Sequence, residues 1–186
     1  MPAPQHPSAN NAGYATIEVL ISILILSIGI ISTMKLQISA IQMTQQSNFF
    51  STAQFLSNEM AEKMRGNREQ LRNRNTSPYL HVDFQSNKQQ IKHPTSCFTA
   101  QCDSAGLADS DITEWLNKIS MALPNAHAKI CLDDSPWDDA NGRFRWDCSA
   151  THAGSPISIK LGWGEKGKSL DEPAPLITLP VNSWSD

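Results

Sequence analysis

What the chain lacks is most informative at its start. In 186 residues the first Lys or Arg is Lys35, and before it the only charged side chain is Glu18. A secretory signal that is removed after its apolar run opens on a basic segment and closes on a small-x-small site. No cation precedes the run here, and Ser32-Thr33-Met34-Lys35-Leu36-Gln37 is a poor cleavage context. Proline does not occur from Ala9 to Ser77, so nothing in that stretch compels a helix to break. Charged residues make up 18% of the chain, the net charge is -3 and the pI is near 5.9. That balance excludes a globally basic nucleic-acid binder. A mean hydropathy of -0.34 excludes a protein with many membrane spans. GxSxG, HExxH and a Gly-rich phosphate loop are all missing. His6, His81, His93, His127 and His152 are scattered without an evident acid or nucleophile partner. Neither an enzyme nor a cofactor is expected.

What is present is uneven. Residues 1–13 are small, polar and Pro-rich, without periodicity, and read as unstructured. From Ala15 to Met34 the chain is apolar on every helical face, and those 20 residues would make a helix about 30 Å long, the thickness of a bilayer's hydrocarbon. A soluble core of this size rarely surrounds such a helix, so a membrane span is the expectation. Beyond it Leu36, Ile41, Phe49, Ala53, Leu56, Met60 and Met64 recur at steps of mostly three to five among Gln, Ser, Thr and Asn. That is a one-sided stripe on a soluble helix. Gly66-Asn67 is the stop signal. One helix from about Tyr14 to Met64 would be about 75 Å long. Glu18 does not fit a plain anchor, because a carboxylate at the centre of an apolar helix costs about 2.5–3.5 kcal/mol, and less near its end.

Gly13-Tyr14-Ala15-Thr16-Ile17-Glu18-Val19-Leu20-Ile21 resembles the class III signal of type IV prepilins and pseudopilins. In that family a peptidase cuts after Gly, the following aromatic residue is N-methylated, and Glu stands fifth in the mature chain. The resemblance implies cleavage between Gly13 and Tyr14, methylation of Tyr14 and a role for Glu18 in docking to neighbouring subunits. Asn58-Glu59-Met60-Ala61-Glu62-Lys63-Met64-Arg65-Gly66-Asn67-Arg68 resembles the end of the long helix in the minor pilins called PilV, or type IV pilus modification proteins. Cys97, Ala108, Asp111, Glu114-Trp115 and Ala122-Leu123-Pro124 resemble that group's head, and Ile157 to Trp163 its later strand. The fold implied is an α+β lollipop, a long helix bearing a small antiparallel head. Its parts would be a leader at 1–13, a long helix at 14–66 with the span at 15–34, a connecting region at 67–95 and a disulfide-bonded head at 96–186. The function implied is that of a minor pilin in pilus assembly or priming, and so in twitching motility, adhesion or DNA uptake. Expected partners are the prepilin peptidase, other major and minor pilins, the inner-membrane assembly machinery and membrane lipid, with nucleic acid not among them. The chain would cross the inner membrane once, its head periplasmic, and then join an extracellular pilus. A pseudopilin of a type II secretion system is the alternative, and a membrane-anchored enzyme a remote one.

The head can also be read from its own residues. Leu80, Val82 and Phe84 alternate and suggest one edge strand. Asp111 with Glu114 reads as an N-cap and capping box. Ile112, Trp115, Leu116, Ile119 and Leu123 follow on one face, and Pro124 ends the helix. Strands are expected at Ala128–Asp133, at Phe144–Cys148, at Ile157–Trp163 and at Leu176–Val181, the last an edge because Pro175 and Pro180 flank it. Short turns between them suggest an antiparallel meander.

Four cysteines, Cys97, Cys102, Cys131 and Cys148, allow three pairings. The strand layout favours Cys97–Cys102 with Cys131–Cys148. A zinc site with His93 or His152 is the rival, but no CxxC is present, and no metal is expected. A two-residue turn at Asn141-Gly142 would place Cys148 opposite Ser135. Pro136 opposes a strand running that far, so a longer loop from about Asp134 to Gly142 is expected. Asp133, Asp134, Asp138 and Asp139 crowd there, without EF-hand spacing, and read as a solvated acidic turn rather than a calcium site. Lys63, Arg65, Arg68, Arg72 and Arg74 read as cations at a helix C-terminus rather than a DNA contact.

Overall fold

The computed structural model describes residues 12–91, 97, 101–152, 154–164 and 174–181, and for residues 12–15 the backbone alone. The chain divides into two compact units, Met1–Ser47 and Asn48–Asp186. Helix α1 (Ala12–Gly66) supplies the described part of the first and opens the second.

In the first unit α1 buries nothing. Every large apolar side chain from Ile17 to Met34 is at least 47% exposed. The hydroxyls of this stretch are satisfied within the helix: Ser22 donates to the Glu18 carbonyl at 2.7 Å, Ser27 to Leu24 at 2.7 Å and Ser32 to Ile28 at 2.9 Å. An apolar solvent therefore meets no unpaired hydroxyl at these positions. The helix is long and apolar enough to cross a membrane. The expected stripe is only partly a core stripe. Leu36 and Ile41 are exposed, Phe49 is partly buried, and Ala53, Leu56, Met60 and Met64 are fully covered or nearly so. Periodicity alone could not show where covering begins, because that depends on what folds back later in sequence.

The second unit is α+β. After α1 come α2 (Arg68–Arg72), a 3₁₀ turn (Pro78–His81), β1 (Val82–Gln85), α3 (Ser104–Ala122), β2 (His127–Leu132), β3 (Trp137–Asp138), β4 (Arg143–Phe144), β5 (Ile157–Gly162) and β6 (Ile177–Val181). The main sheet runs β1-β2-β5-β6, antiparallel throughout, with β1 and β6 at its edges. Leu80 lies in the 3₁₀ turn, so the first edge strand begins at Val82. Pro180 is tolerated in β6 because that strand is an edge. Trp115 and Ile119 of α3 join Leu56, Met60 and Met64 of α1 and Ile130, Ile159 and Leu161 of the sheet in one core. The Trp115 indole N–H donates to the Leu56 carbonyl at 2.8 Å, which pins α3 to α1 within this unit.

Three expectations need correcting. Helix α3 begins eight residues earlier than the Asp111 cap implies. Asp103 is the N-cap, its carboxylate accepting the Gly106 N–H at 2.7 Å. Asp111 lies mid-helix and accepts a hydrogen bond from the Tyr79 hydroxyl at 2.7 Å. The small residues Ser104-Ala105-Gly106 disguise the first turn, since none of them carries an apolar periodicity. Second, Phe144–Cys148 is not a strand of the main sheet. Only Arg143–Phe144 pairs, and it pairs with β3 in a separate two-stranded ribbon, while β2 pairs directly with β5. Third, the loop expected from Asp134 to Gly142 contains β3, and the turn proper is Asp139–Gly142, with Gly142 at φ 61° where glycine is favoured. The cause of the second departure is a side chain. Lys160 takes the carbonyls of Arg145 and Asp147 that a neighbouring strand would otherwise have taken.

Candidate functional site

The residues singled out at the N-terminus all fall on α1. The backbone of Gly13 and Tyr14 is helical, and Glu18 follows Tyr14 by one turn with its side chain exposed. Between Glu18 and Lys35 the helix carries no charged side chain. A lone carboxylate on an uncovered apolar helix is costly in hydrocarbon unless it meets a partner donor or cation. Residues 1–11, including His6, and His93 lie outside the described residues.

In the head the cysteines pair as Cys97–Cys102 and Cys131–Cys148, with Cα separations of 5.6 and 6.1 Å. Three of the four aspartates of the acidic turn are engaged by protein groups, and the fourth, Asp139, is exposed. Asp133 is fully buried and ion-paired with Lys160 at 2.5 Å. Burial would raise its carboxyl, but Lys160, the Ser135 N–H and the Ser149 hydroxyl hold it below the usual range. Asp134 accepts from the Thr151 hydroxyl, the Ser155 hydroxyl and the Thr151 N–H, which lower it from 3.8 to about 2. Asp138 caps its own turn, receiving the Asn141 side chain at 2.7 Å. Among the described residues no group of three or more His, Cys, Asp or Glu is placed to hold a metal ion.

Ser155, His152 and Asp134 cluster, but they do not form a nucleophilic triad. One ring nitrogen, His152 Nδ1, faces both Ser155 Oγ and Asp134 Oδ2 at 3.5 Å, and Ser155 donates directly to Asp134 at 2.7 Å. A relay needs the two ring nitrogens to face different partners. Ser155 is also fully buried.

The basic cluster is largely committed to structure. Lys63 reaches Glu114 at 2.7 Å and Asp111 at 3.4 Å, Arg65 pairs with Glu62, and Arg74 donates to the Ser155 carbonyl at 2.7 Å. Lys118 bridges Glu59 at 2.5 Å and Glu114 at 2.8 Å. Lys118 and Lys63 together draw the Glu114 carboxyl below its ordinary range. The Lys63 and Lys118 pairs tie α3 to the last turns of α1. Arg68 and Arg72 are exposed.

One surface feature escaped the sequence reading. An uncharged groove of about 240 Å³ lies between α1 and edge strand β6, lined among others by Phe50, Gln54, Asn58, Phe144, Ile177 and Thr178. Trp137 stands beside it in contact with Phe144, with their rings 5.0 Å apart, and is 43% exposed. Its residues come from three separated segments, so no local pattern announces it. Lys160 was equally invisible, because a lysine alternating with Ile159 and Leu161 reads as solvent-facing.

Comparison with known families agrees with this geometry. Residues 35–113 match the family model Tt1218-like, described as type IV pilin Tt1218. The matched span runs from the end of the apolar stretch, through the covered half of α1 and the first edge strand, into α3. No curated protein and no solved structure matches the chain. Over residues 35–113 the chain is similar to this family, and that similarity supports a type IV pilin.

Proposed function

We propose that the chain is a minor pilin of the PilV kind, a low-abundance subunit that helps assemble or prime a type IV pilus. The observation that carries this reading is the independence of its two supports. The prepilin-like motif lies at Gly13–Ile21, and the family match begins only at Lys35. Neither borrows residues from the other. A pilin is a structural protein that assembles with other pilins, and the apolar part of α1 suits a membrane-anchored pilus subunit.

On this proposal the prepilin peptidase cuts between Gly13 and Tyr14, and Tyr14 is N-methylated. The mature chain then waits in the inner membrane with its head in the periplasm. Glu18 accepts the terminal amine of an adjoining subunit, an ion pair whose strength in lipid draws subunits into register. Mass spectrometry of the mature protein tests the cleavage, and an intact Met1 terminus in cells with active peptidase would overturn it. Glu18→Ala tests the docking role. The variant is expected to be cleaved, membrane-bound and missing from sheared pili, whereas wild-type amounts in purified pili would exclude that role. Deleting the gene should reduce piliation and twitching. A loss of protein secretion with pili intact would assign the chain to a type II pseudopilus instead.

A further inference from the structure

We infer that the buried Lys160–Asp133 pair is a positioning clamp that selects Cys148 as the partner of Cys131. Neither clamp residue is exposed to solvent. Cys131 is fixed by the sheet: it lies in β2 opposite Ser158 of β5. Cys148 belongs to no strand, and the backbone bond nearest to it is a single one, from the Asp134 N–H to the Ser149 carbonyl at 2.9 Å.

The pair holds the residues on both sides of Cys148. On one side, Lys160 Nζ donates to the Asp147 carbonyl at 2.6 Å and to the Arg145 carbonyl at 2.8 Å. On the other, Asp133 Oδ1 accepts the Ser149 N–H at 3.3 Å and the Ser149 hydroxyl at 2.9 Å. The two halves meet where Lys160 Nζ lies 2.5 Å from Asp133 Oδ2. The ammonium thus gives two hydrogen bonds to carbonyls and faces the Asp133 carboxylate as an ion pair. The indole of Trp146, between the two clamped carbonyls, stacks on His127 with ring centroids 3.7 Å apart. It also lies over Gly162, where an added Cβ would come within 2.9 Å of its ring. These contacts seat residues 145–149 on the outer face of β2 and β5.

None of these contacts needs the disulfide. They can form while the thiols are free, and they then raise the local concentration of Cys148 around Cys131. Three pairings are open to four cysteines, and only one brings together the two thiols that the clamp places side by side. A buried ion pair adds little net stability compared with well-packed apolar residues of the same size. Its value here is directional: it aims one particular segment of irregular chain. The inference is independent of what the chain assembles into.

Oxidative refolding of the full chain in detergent tests the clamp. Wild type, the double variant Lys160→Met with Asp133→Leu, and the core variant Ile130→Val are reduced, unfolded and reoxidised in a glutathione buffer, then mapped without reduction. The double variant leaves no unpaired buried charge. Its ratio of Cys131–Cys148 to all other cysteine products is expected to fall tenfold or more, while Ile130→Val keeps the wild-type ratio. A wild-type ratio in the double variant overturns the clamp, as does an equal fall in Ile130→Val, which would make pairing a matter of general stability. Should the double variant fail to fold, Ser149→Ala removes one donor and leaves both charges. Its Cys131–Cys148 bond is expected to be several-fold easier to reduce in glutathione titrations, and an unchanged equilibrium overturns the inference.

Discussion

The first and last thirds of helix α1 use similar residues for opposite ends. Between Ile17 and Met34 the apolar side chains point in every direction and all remain uncovered. Between Ala53 and Met64 all of them but Phe55, which is 66% exposed, lie on one face, and that face is buried under α3 and the sheet. The difference lies in content and in spacing: residues 17–34 carry one charged side chain, Glu18, whereas residues 53–64 carry Glu59, Glu62 and Lys63 between their apolar positions. An all-round apolar helix must find a surrounding medium, whereas a striped one needs a single partner surface. Membrane attachment and head stability are therefore separable properties of one helix, and perturbing one should spare the other.

The sharpest way to break the comparison is Trp115→Ala. The indole is fully buried and holds the Leu56 carbonyl. Its loss is expected to destabilise the head by about 3–5 kcal/mol. Urea unfolding followed by near-ultraviolet circular dichroism measures this, and resistance to alkaline extraction from membranes should not change. A methionine pair sharpens the same contrast within one residue type. Met60 is fully buried and Met43 is 72% exposed. Met60→Ala should cost about 2–5 kcal/mol of head stability, and Met43→Ala less than about 0.5 kcal/mol. Equal effects in the same denaturation assay would show that covering begins earlier on α1 than the burial implies.

Tyr79→Phe removes the hydroxyl that donates to Asp111. Burial, with Asp111 beside it, pushes the Tyr79 phenol well up, so it remains a donor through the physiological range. The expected cost is about 1–3 kcal/mol, read as a lowered urea midpoint. Acid is the gentlest perturbation. The folded head holds Asp133 and Asp134 below the ordinary 3.8, Asp134 at about 2. A carboxyl with a lowered folded pKa contributes stability above its unfolded pKa and loses it as pH falls through the folded one. Thermal stability of the head should therefore decline progressively below about pH 4. Residues 19–34 carry no titratable side chain, so the helicity of that segment should stay level over the same range.

How much of this was legible depended on how local the cause is. The long helix, the stop at Gly66 and the alternation of Ile157, Ile159 and Leu161 are set by spacing within one segment, and each appears where spacing puts it. The start of α3 was misread because Asp111-Glu114 imitates a capping box while the true cap, Asp103, precedes three small residues. Phe144 to Cys148 alternates like a strand, yet Lys160, on β5, claims the carbonyls of Arg145 and Asp147, 15 and 13 residues before it in the chain. Burial of Lys160 and Asp133 together depends on how β2, β5 and the 145–149 segment stack, which no stretch of sequence encodes alone. The uncharged groove beside β6 is of the same kind.

The two edges of the main sheet carry a further consequence. Strand β1 is four residues long and places Asp83 at mid-strand with half its side chain in solvent, while β6 carries Pro180, which has no N–H to offer. Both are features that discourage another strand from adding to a sheet. On the proposed function the head is held close to the heads of other pilins. Under such crowding an open edge would invite strand-to-strand zippering and irreversible aggregation. Blunted edges let neighbouring heads touch through side chains and still part, which a filament that must be built subunit by subunit requires.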